Sequence, residues 1–146
     1  MERLQRRLGL PRRPDHVPCF DNAHLFGEAP VSSMVVFRRG RPAPADYRRY
    51  RIRTVSGPDD YAAMAEVLQR RYCGASGHDR IPDLLMVDGG KGQLNIARQV
   101  IEELGLTGRI SLAAIAKKDP ERGEAQDKIY LPGRKNPVSF GKEPEL

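Results

Sequence analysis

The chain has 146 residues, of which 39% are hydrophobic and 30% are charged, and it contains no Trp. This composition supports one modest core and excludes a disordered tail. It holds no apolar run near the roughly 20 residues that a membrane-spanning helix needs. The 25 Lys and Arg residues outnumber the 19 Asp and Glu residues, so the net charge is +6. A basic domain of this size favours a polyanionic partner, with nucleic acid as the first candidate and no membrane partner.

Residues 1–16 contain five Arg and two Pro with little apolar periodicity, which predicts a basic linker or arm. No apolar stretch follows that would make this segment a secretory signal. Residues 17–146 are then one domain. Its two cysteines, Cys19 and Cys73, are not in a Cys-x-x-Cys pair and are expected to be free thiols in a reducing cytoplasm.

The first half of the domain has the pattern of three strands. Residues 17–20 and 30–37 are rich in β-branched and aromatic side chains, and residues 46–53 alternate arginines with Tyr and Ile. As a strand, the third segment places Tyr47, Arg49, Arg51 and Arg53 on one face. Three consecutive strands predict an antiparallel meander.

The second half alternates helices with strands. Apolar positions recur at helical spacing from Tyr61 to Tyr72 and again over residues 93–104, while residues 84–87, 111–116 and 128–132 have strand character. The predicted order is β-β-β-α-β-α-β. This order is typical of an α/β fold of the ribonuclease H-like class, in which a mixed sheet has a three-stranded antiparallel meander followed by alternating helices and parallel strands.

Two acidic residues follow apolar strands, Asp21 after Pro-Cys-Phe and Asp88 after Leu-Leu-Met-Val. The two strands are neighbours in a ribonuclease H-like sheet, so the carboxylates are expected to converge. Paired carboxylates without a Cys or His cluster suit hard cations such as Mg²⁺ or Mn²⁺. Two such ions can clamp the attacking and leaving oxygens of a phosphodiester displacement. The alternative is that each Asp only caps a turn.

A further acidic pair, Asp59-Asp60, precedes the first predicted helix. One carboxylate is expected to cap the helix N-terminus, and the other is either a partner of the helix dipole or a member of the site.

The segment from Gly89 to Gln93 joins a strand to a helix. It lacks the Ser or Thr that a Walker A loop has after its Lys, so no nucleotide cofactor is expected. Its backbone N–H groups and Lys91 suit a DNA phosphate beside Asp88, and a tight turn that requires glycine is the alternative.

Three further residues are weaker candidates. His24 lies three residues after Asp21, where it is either a neighbour of the site or a hydrogen-bonded residue at the end of a strand. Arg49 and Arg51, interleaved with tyrosines, can contact phosphates, although a solvated sheet face has the same pattern.

The motifs together resemble a known family. Cys-Phe-Asp-Asn-Ala-His-Leu-Phe-Gly (19–27), Asp-Tyr-Arg-Arg-Tyr (46–50), Gly-Pro-Asp-Asp-Tyr-Ala-Ala-Met (57–64) and Leu-Leu-Met-Val-Asp-Gly-Gly-Lys-Gly-Gln-Leu (84–94) occur in this order. They resemble the C-terminal, ribonuclease H-like endonuclease domain of UvrC, a component of the bacterial excinuclease ABC system. Arg-Leu-Gly-Leu-Pro-Arg (7–12) and Leu-Pro-Gly-Arg-Lys-Asn-Pro-Val (131–138) extend the resemblance over nearly the whole chain.

The resemblance implies the 5′ incision of damaged double-stranded DNA in bacterial nucleotide excision repair, with Mg²⁺ or Mn²⁺ as cofactor and UvrB as partner. By motif position, Asp21 and Asp88 would be catalytic and metal-binding, and Asp60 would be a further catalytic acid. Asn22-Ala23 departs from the family's usual Ile-Ser. The resemblance also implies a UvrB-binding segment and a helix with a catalytic His that this sequence does not contain. An incomplete C-terminus is therefore expected, and the alternative function is a catalytically silent homologue that keeps the fold and its DNA or protein contacts.

Overall fold

A mixed β-sheet is the centre of the fold in the computed structural model of the chain, which describes residues 2–23, 31–53, 59–74, 81–117, 121 and 127–139. The strands in this part of the chain are β1 (His16–Ala23), β2 (Val31–Arg38), β3 (Arg41–Pro42), β4 (Arg48–Arg51), β5 (Leu84–Asp88), β6 (Ser111–Ala116), β7 (Lys128–Tyr130) and β8 (Val138–Ser139). The helices are α1 (Glu2–Leu8), α2 (Asp60–Tyr72) and α3 (Lys91–Glu103). No helix among these residues is long and apolar enough to cross a membrane.

The sheet joins an antiparallel half to a parallel half. Its order is β3-β2-β1-β5-β6-β7-β8, with β4 paired to β2 next to β3. Strands β1, β2 and β4 form the predicted meander. Strands β1, β5 and β6 run parallel, and β7 and β8 return antiparallel. This is the α/β architecture with a mixed sheet that the sequence predicts.

Helices α2 and α3 cover one face of the sheet, because their apolar side chains recur every three to four residues. Phe20 of β1 is fully buried there and meets the ring of Tyr72 edge-on, with ring centroids 6.2 Å apart. The packing is closest where the ends of the two helices meet. A Cβ on Gly92 would lie 2.7 Å from Cζ of Tyr61, so only glycine allows this approach.

The other face of the sheet carries a smaller core. Leu8, Val17, Leu84 and Ala113 are buried in it, and Cys19, in the middle of β1, packs against it.

Two segments differ from their predicted structure. Residues 2–8 form α1 rather than an irregular arm, because Leu4 and Leu8 lie one turn apart and both pack on the smaller core. Tyr47 precedes β4 and packs against the core between the sheet and helices α2 and α3. The prediction that it shares a face with Arg49 is therefore wrong.

Candidate active site at the carboxyl ends of β1 and β5

Two aspartates lie side by side where β1 and β5 run parallel. In the register of these strands, Phe20 lies opposite Val87. The next residue on each strand is an aspartate, Asp21 or Asp88, and the two carboxyls are close enough to share a hydrogen bond when one of them is protonated. Phe20 and Val87 are buried under the helices, so the aspartates project from the other face of the sheet. The structure therefore brings together the two carboxyls that the sequence singles out.

The environment of Asp88 opposes its charge. Burial, the hydrogen bond with Asp21 and the negative charge of Asp21 together raise the pKa of Asp88 to about 6, and Lys117 lowers it. Two carboxyls this close cannot both ionise without repulsion, and a bound cation relieves that repulsion.

The available donor atoms are oxygens. Burial, with a smaller contribution from Asp88, raises the pKa of the nearby Cys19 thiol to about 11, so this thiol is protonated at neutral pH. No group of three or more His, Cys, Asp or Glu side chains able to hold a metal occurs within the described ranges. The pair Asp21 and Asp88 therefore offers carboxylate ligands alone, which fits a hard cation such as Mg²⁺ or Mn²⁺.

The N-terminus of α2 is joined to the strand that carries Asp21. Asp59 caps the helix by accepting a hydrogen bond from the backbone N–H of Ala62, at 3.0 Å. The next residue, Asp60, is joined to β1 because Nδ2 of Asn22 donates to its backbone carbonyl at 3.1 Å. The structure thus links Asp60 to β1 through Asn22, a contact that no sequence pattern indicated.

A glycine turn links Asp88 to α3. Gly89 has a φ of +141°, a backbone conformation that L side chains rarely adopt. A Cβ at Gly89 would also lie 3.0 Å from Cβ of Gln93. Glycine is therefore required directly after Asp88, as the tight-turn interpretation predicted.

Lys91 begins α3 and its ammonium lies over the ring of Tyr130, 5.9 Å from the centroid. Tyr130 packs against the core on the helix side of the sheet. Lys91 is thus near the carboxyl edge but on the side of the sheet opposite to the carboxyls, and a phosphate contact would need it to leave the ring.

Arg49 and Arg51 lie on the same face as the carboxyls. Asp21 pairs with Ser33 on β2, and Ser33 pairs with Arg49 on β4, so these three residues form one row across the sheet. Arg51 follows two residues later and is exposed, as Arg49 is. His24, the remaining predicted neighbour, lies outside the described residues.

One charged neighbour of Asp88 was not predicted. Lys117 follows the last residue of β6 and acts electrostatically on the Asp88 carboxyl. The rule that located Asp88 could have found it, because β5 and β6 are parallel and their carboxyl ends meet at one edge of the sheet.

A cavity of about 400 Å³ lies near the start of β6, at the end of the sheet away from the carboxyl pair. Its wall includes Leu8, Ile110 and Leu131, with Arg98 and Arg134 also lining it. This cavity is separate from the carboxyl pair, because Ser111, which also lines it, begins the strand whose far end approaches Asp88.

The chain is similar to known proteins along its whole length. The profile of the family described as "UvrC RNAse H endonuclease domain" matches residues 5–146. The chain is 45% identical over 146 residues to the UvrABC system protein C of Desulfatibacillum aliphaticivorans, covering 100% of this chain and 24% of that protein. It is 52% identical over 136 residues to the UvrABC system protein C of Desulforapulum autotrophicum, covering 93% of this chain and 22% of that protein. The chain thus spans about a quarter of the length of these curated relatives.

Among solved structures, the chain is similar to Ciona intestinalis endonuclease V in complex with an inosine-containing 24mer DNA. The identity is 15% and the TM-score 0.48, and the match covers 86% of this chain and 70% of that one. The mixed sheet and the family match define the class of the chain, a ribonuclease H-like endonuclease domain. Within that class, it belongs to the UvrC RNase H endonuclease domain family.

Proposed function

We propose that this chain is the DNA-cutting domain of a UvrC protein, a divalent-metal-dependent endonuclease domain that makes the 5′ incision in bacterial nucleotide excision repair. The observation that carries the proposal is the juxtaposition of Asp21 and Asp88 in a chain that matches this family over residues 5–146. Damaged double-stranded DNA is the proposed substrate. UvrB is the proposed partner, in line with the UvrABC system for which the relatives are named.

The carboxyls of Asp21 and Asp88 would hold the cation, and Asp60, at the start of α2, would be the further acid of the site. A bound Mg²⁺ or Mn²⁺ supplies positive charge for the scissile phosphate and lowers the pKa of the attacking water. The two aspartates keep these ligand oxygens at one place on the sheet, because each is fixed in a strand.

Basic side chains would hold the DNA backbone around this centre. Arg49 and Arg51 are exposed on the face of the carboxyls, and they can neutralise phosphates on one side of the pair. Lys91 is the proposed phosphate contact at the start of α3, on the other side of the sheet.

The competing candidate is a domain that binds DNA without cutting it. Within the described residues, no third ligand joins Asp21 and Asp88 to form a larger cluster, and this observation favours the alternative. Both candidates predict DNA binding, so only cleavage separates them.

The test is cleavage of supercoiled plasmid DNA by this chain in the presence of Mn²⁺. We expect Asp88→Asn to lower the nicking rate about 100-fold or more, because a neutral amide replaces a ligand at the reacting centre. The matched control is Asp46→Asn, which makes the same chemical change far from the pair, at a carboxylate that accepts a hydrogen bond from Arg38 at 2.7 Å. Asp46→Asn should leave the rate unchanged.

Two results would contradict the proposal. If the chain and Asp88→Asn nick at equal rates, the cleavage arises elsewhere or from a contaminant. If the chain binds the plasmid but does not nick it at any Mn²⁺ concentration, the binding-only alternative replaces the nuclease.

A further inference from the structure

A lysine lies on the carboxyl face beside Asp88, beyond the end of β6. Asp88 pairs with Ile115, so these two residues project from the same face. Lys117 is two residues past Ile115 and continues that face toward the carboxyl edge, where it is exposed.

The charge of Lys117 acts on the carboxyl of Asp88. Among the groups around Asp88, Lys117 is the one that acts against burial and against Asp21 by lowering the pKa of the carboxyl. Lys117 is exposed, so its ammonium can reach a ligand that sits over the aspartates.

A second cation lies on the opposite flank of the pair. The row of paired residues that runs from Asp21 through Ser33 ends at Arg49. Neighbouring strands are about 4.8 Å apart, so the backbone of Arg49 lies about 10 Å from that of Asp21, and Lys117 follows the end of the strand directly next to Asp88. Lys117 is two residues beyond the row that contains Asp88 and Ile115, so positive charges flank the two carboxyls on both sides without sharing one row.

We propose that Lys117 is a substrate-contacting residue that binds the phosphodiester placed over Asp21 and Asp88, while Arg49 binds another phosphate of the same strand. The inference rests on the proposed function, since it assigns the direction in which a nucleic-acid strand crosses the site, from β6 over β5 and β1 to β4. A lysine suits this position because its ammonium is a compact point charge on a flexible stem that can follow a phosphate.

The first test is the salt dependence of binding of a fluorescent single-stranded oligonucleotide in EDTA, where no cleavage occurs. Lys117→Met should weaken binding several-fold at low salt and lower the log–log salt slope by about 0.7, the value for one phosphate contact. Lys117→Arg should restore both. The matched control is Lys135→Met, which removes the same charge from the exposed turn between β7 and β8, at the other edge of the sheet.

The second test uses the opposite effect on a small cation. Lys117 repels a divalent ion at the aspartates, so Lys117→Met should bind Mn²⁺ several-fold more tightly by calorimetry, whereas Lys135→Met should not. A lysine with only a structural role would not weaken the binding of one ligand and strengthen that of the other.

Equal behaviour of Lys117→Met and Lys135→Met in both tests would overturn the inference. The plasmid assay keeps this failure separate from failure of the proposed function. If the chain nicks DNA and Lys117→Met binds and nicks as the unmodified chain does, only the role of Lys117 is wrong. If the chain binds but never nicks, the selective loss of binding in Lys117→Met still supports the strand path, while the nuclease proposal fails.

Discussion

At the scale of single residues, the negative charge of Asp88 lowers the stability of the folded chain. The Asp88 carboxyl has a pKa of about 6 in the folded chain, against an ordinary value of 3.8. It therefore binds its proton more tightly in the folded chain than in the unfolded chain. Between about pH 4 and pH 6 the folded chain therefore holds more protons, and its stability falls as the pH rises through this window. Above pH 6 the full cost of the charge is present unless a cation offsets it.

Asp88→Asn should accordingly stabilise the chain at pH 7 in EDTA. We expect a gain on the order of 1 kcal/mol in the free energy of unfolding, once the partial exposure of the carboxyl to solvent is allowed for. Urea denaturation at a series of pH values measures it, and the gain should disappear as the pH falls to about 4.

Asp46→Asn is the control, because it should change the free energy of unfolding in the opposite direction. A hydrogen bond from Arg38 lowers the pKa of Asp46, so its charge favours the folded chain above pH 4. This substitution should cost a little stability at pH 7 and nothing once the pH is low enough to protonate the Asp46 carboxyl in the folded chain. A loss of stability at pH 7 in Asp88→Asn would show that the carboxyl pair does not carry the repulsion described here.

At the scale of elements, the turn between β5 and α3 fixes the position of Asp88. Gly89 combines a positive φ with close contact to Gln93, whereas a Cβ on the neighbouring Gly90 would meet nothing within 4 Å. Of these two adjacent positions in one turn, only Gly89 therefore requires glycine.

Gly89→Ala should cost about 2–3 kcal/mol, from backbone strain together with the clash against Gln93. Gly90→Ala, at the N-cap of α3, should cost only about 0.5–1 kcal/mol, because Ala is a poorer cap than Gly. Thermal or chemical unfolding of the two variants measures the difference. Equal losses would mean that the turn does not depend on the conformation of Gly89.

The sequence predicts elements best where packing follows local periodicity. The spacing of Met64 and Leu68 located α2, and residues 111–116 were predicted as the strand that became β6. Helix α1 was not predicted, since its burial depends on a sheet face assembled from distant residues. The two-residue strands β3 and β8 exist through pairing with their neighbours rather than through their own propensity.

The candidate site follows the same division. The convergence of Asp21 and Asp88 was predictable, because a fold-class rule places their strands side by side. Lys117 was not predicted, because a charged residue after an apolar strand is ordinarily a solvated strand end, although the parallel pairing of β5 and β6 brings it to the same end of the sheet as Asp88. Asn22 reaches Asp60 only through the packing of α2 against β1.

At the scale of the whole molecule, positive charge is concentrated on one edge of the sheet. Exposed arginines extend from the turn after β2 through β4 and just beyond it, at positions 39, 41, 48, 49, 51 and 53. The ion pairs elsewhere, such as that of Arg98 with Glu102 at 3.5 Å, involve partly exposed side chains and contribute little to stability. We expect the exposed arginines of this edge, called here the arginine edge, to repel one another in the free chain.

The double variant Arg49→Ser/Arg51→Ser should melt at a higher temperature than the unmodified chain in low salt, because self-repulsion falls. Its affinity for duplex DNA should drop, with a log–log salt slope lower by up to about 1.8 if each arginine contacts one phosphate. Fluorescence anisotropy over a range of salt concentrations measures the slope.

The control is the double variant Arg98→Ser/Arg134→Ser, which removes the same charge from the cavity near the start of β6, away from β4. If both double variants lower the slope equally, DNA is held by net charge alone and the β4 edge has no special role.

The sheet's topology also sets an order of events during folding. The arginine edge is built from strands β2 and β4, which are close along the chain, whereas the two carboxyls meet only after β5 has docked against β1 from far downstream. Contacts between distant segments form late, since their loop closure costs more chain entropy. On the proposed function, a nascent or partly folded chain would thus bind polyanions before its two carboxyls meet, and cutting would require the completed fold.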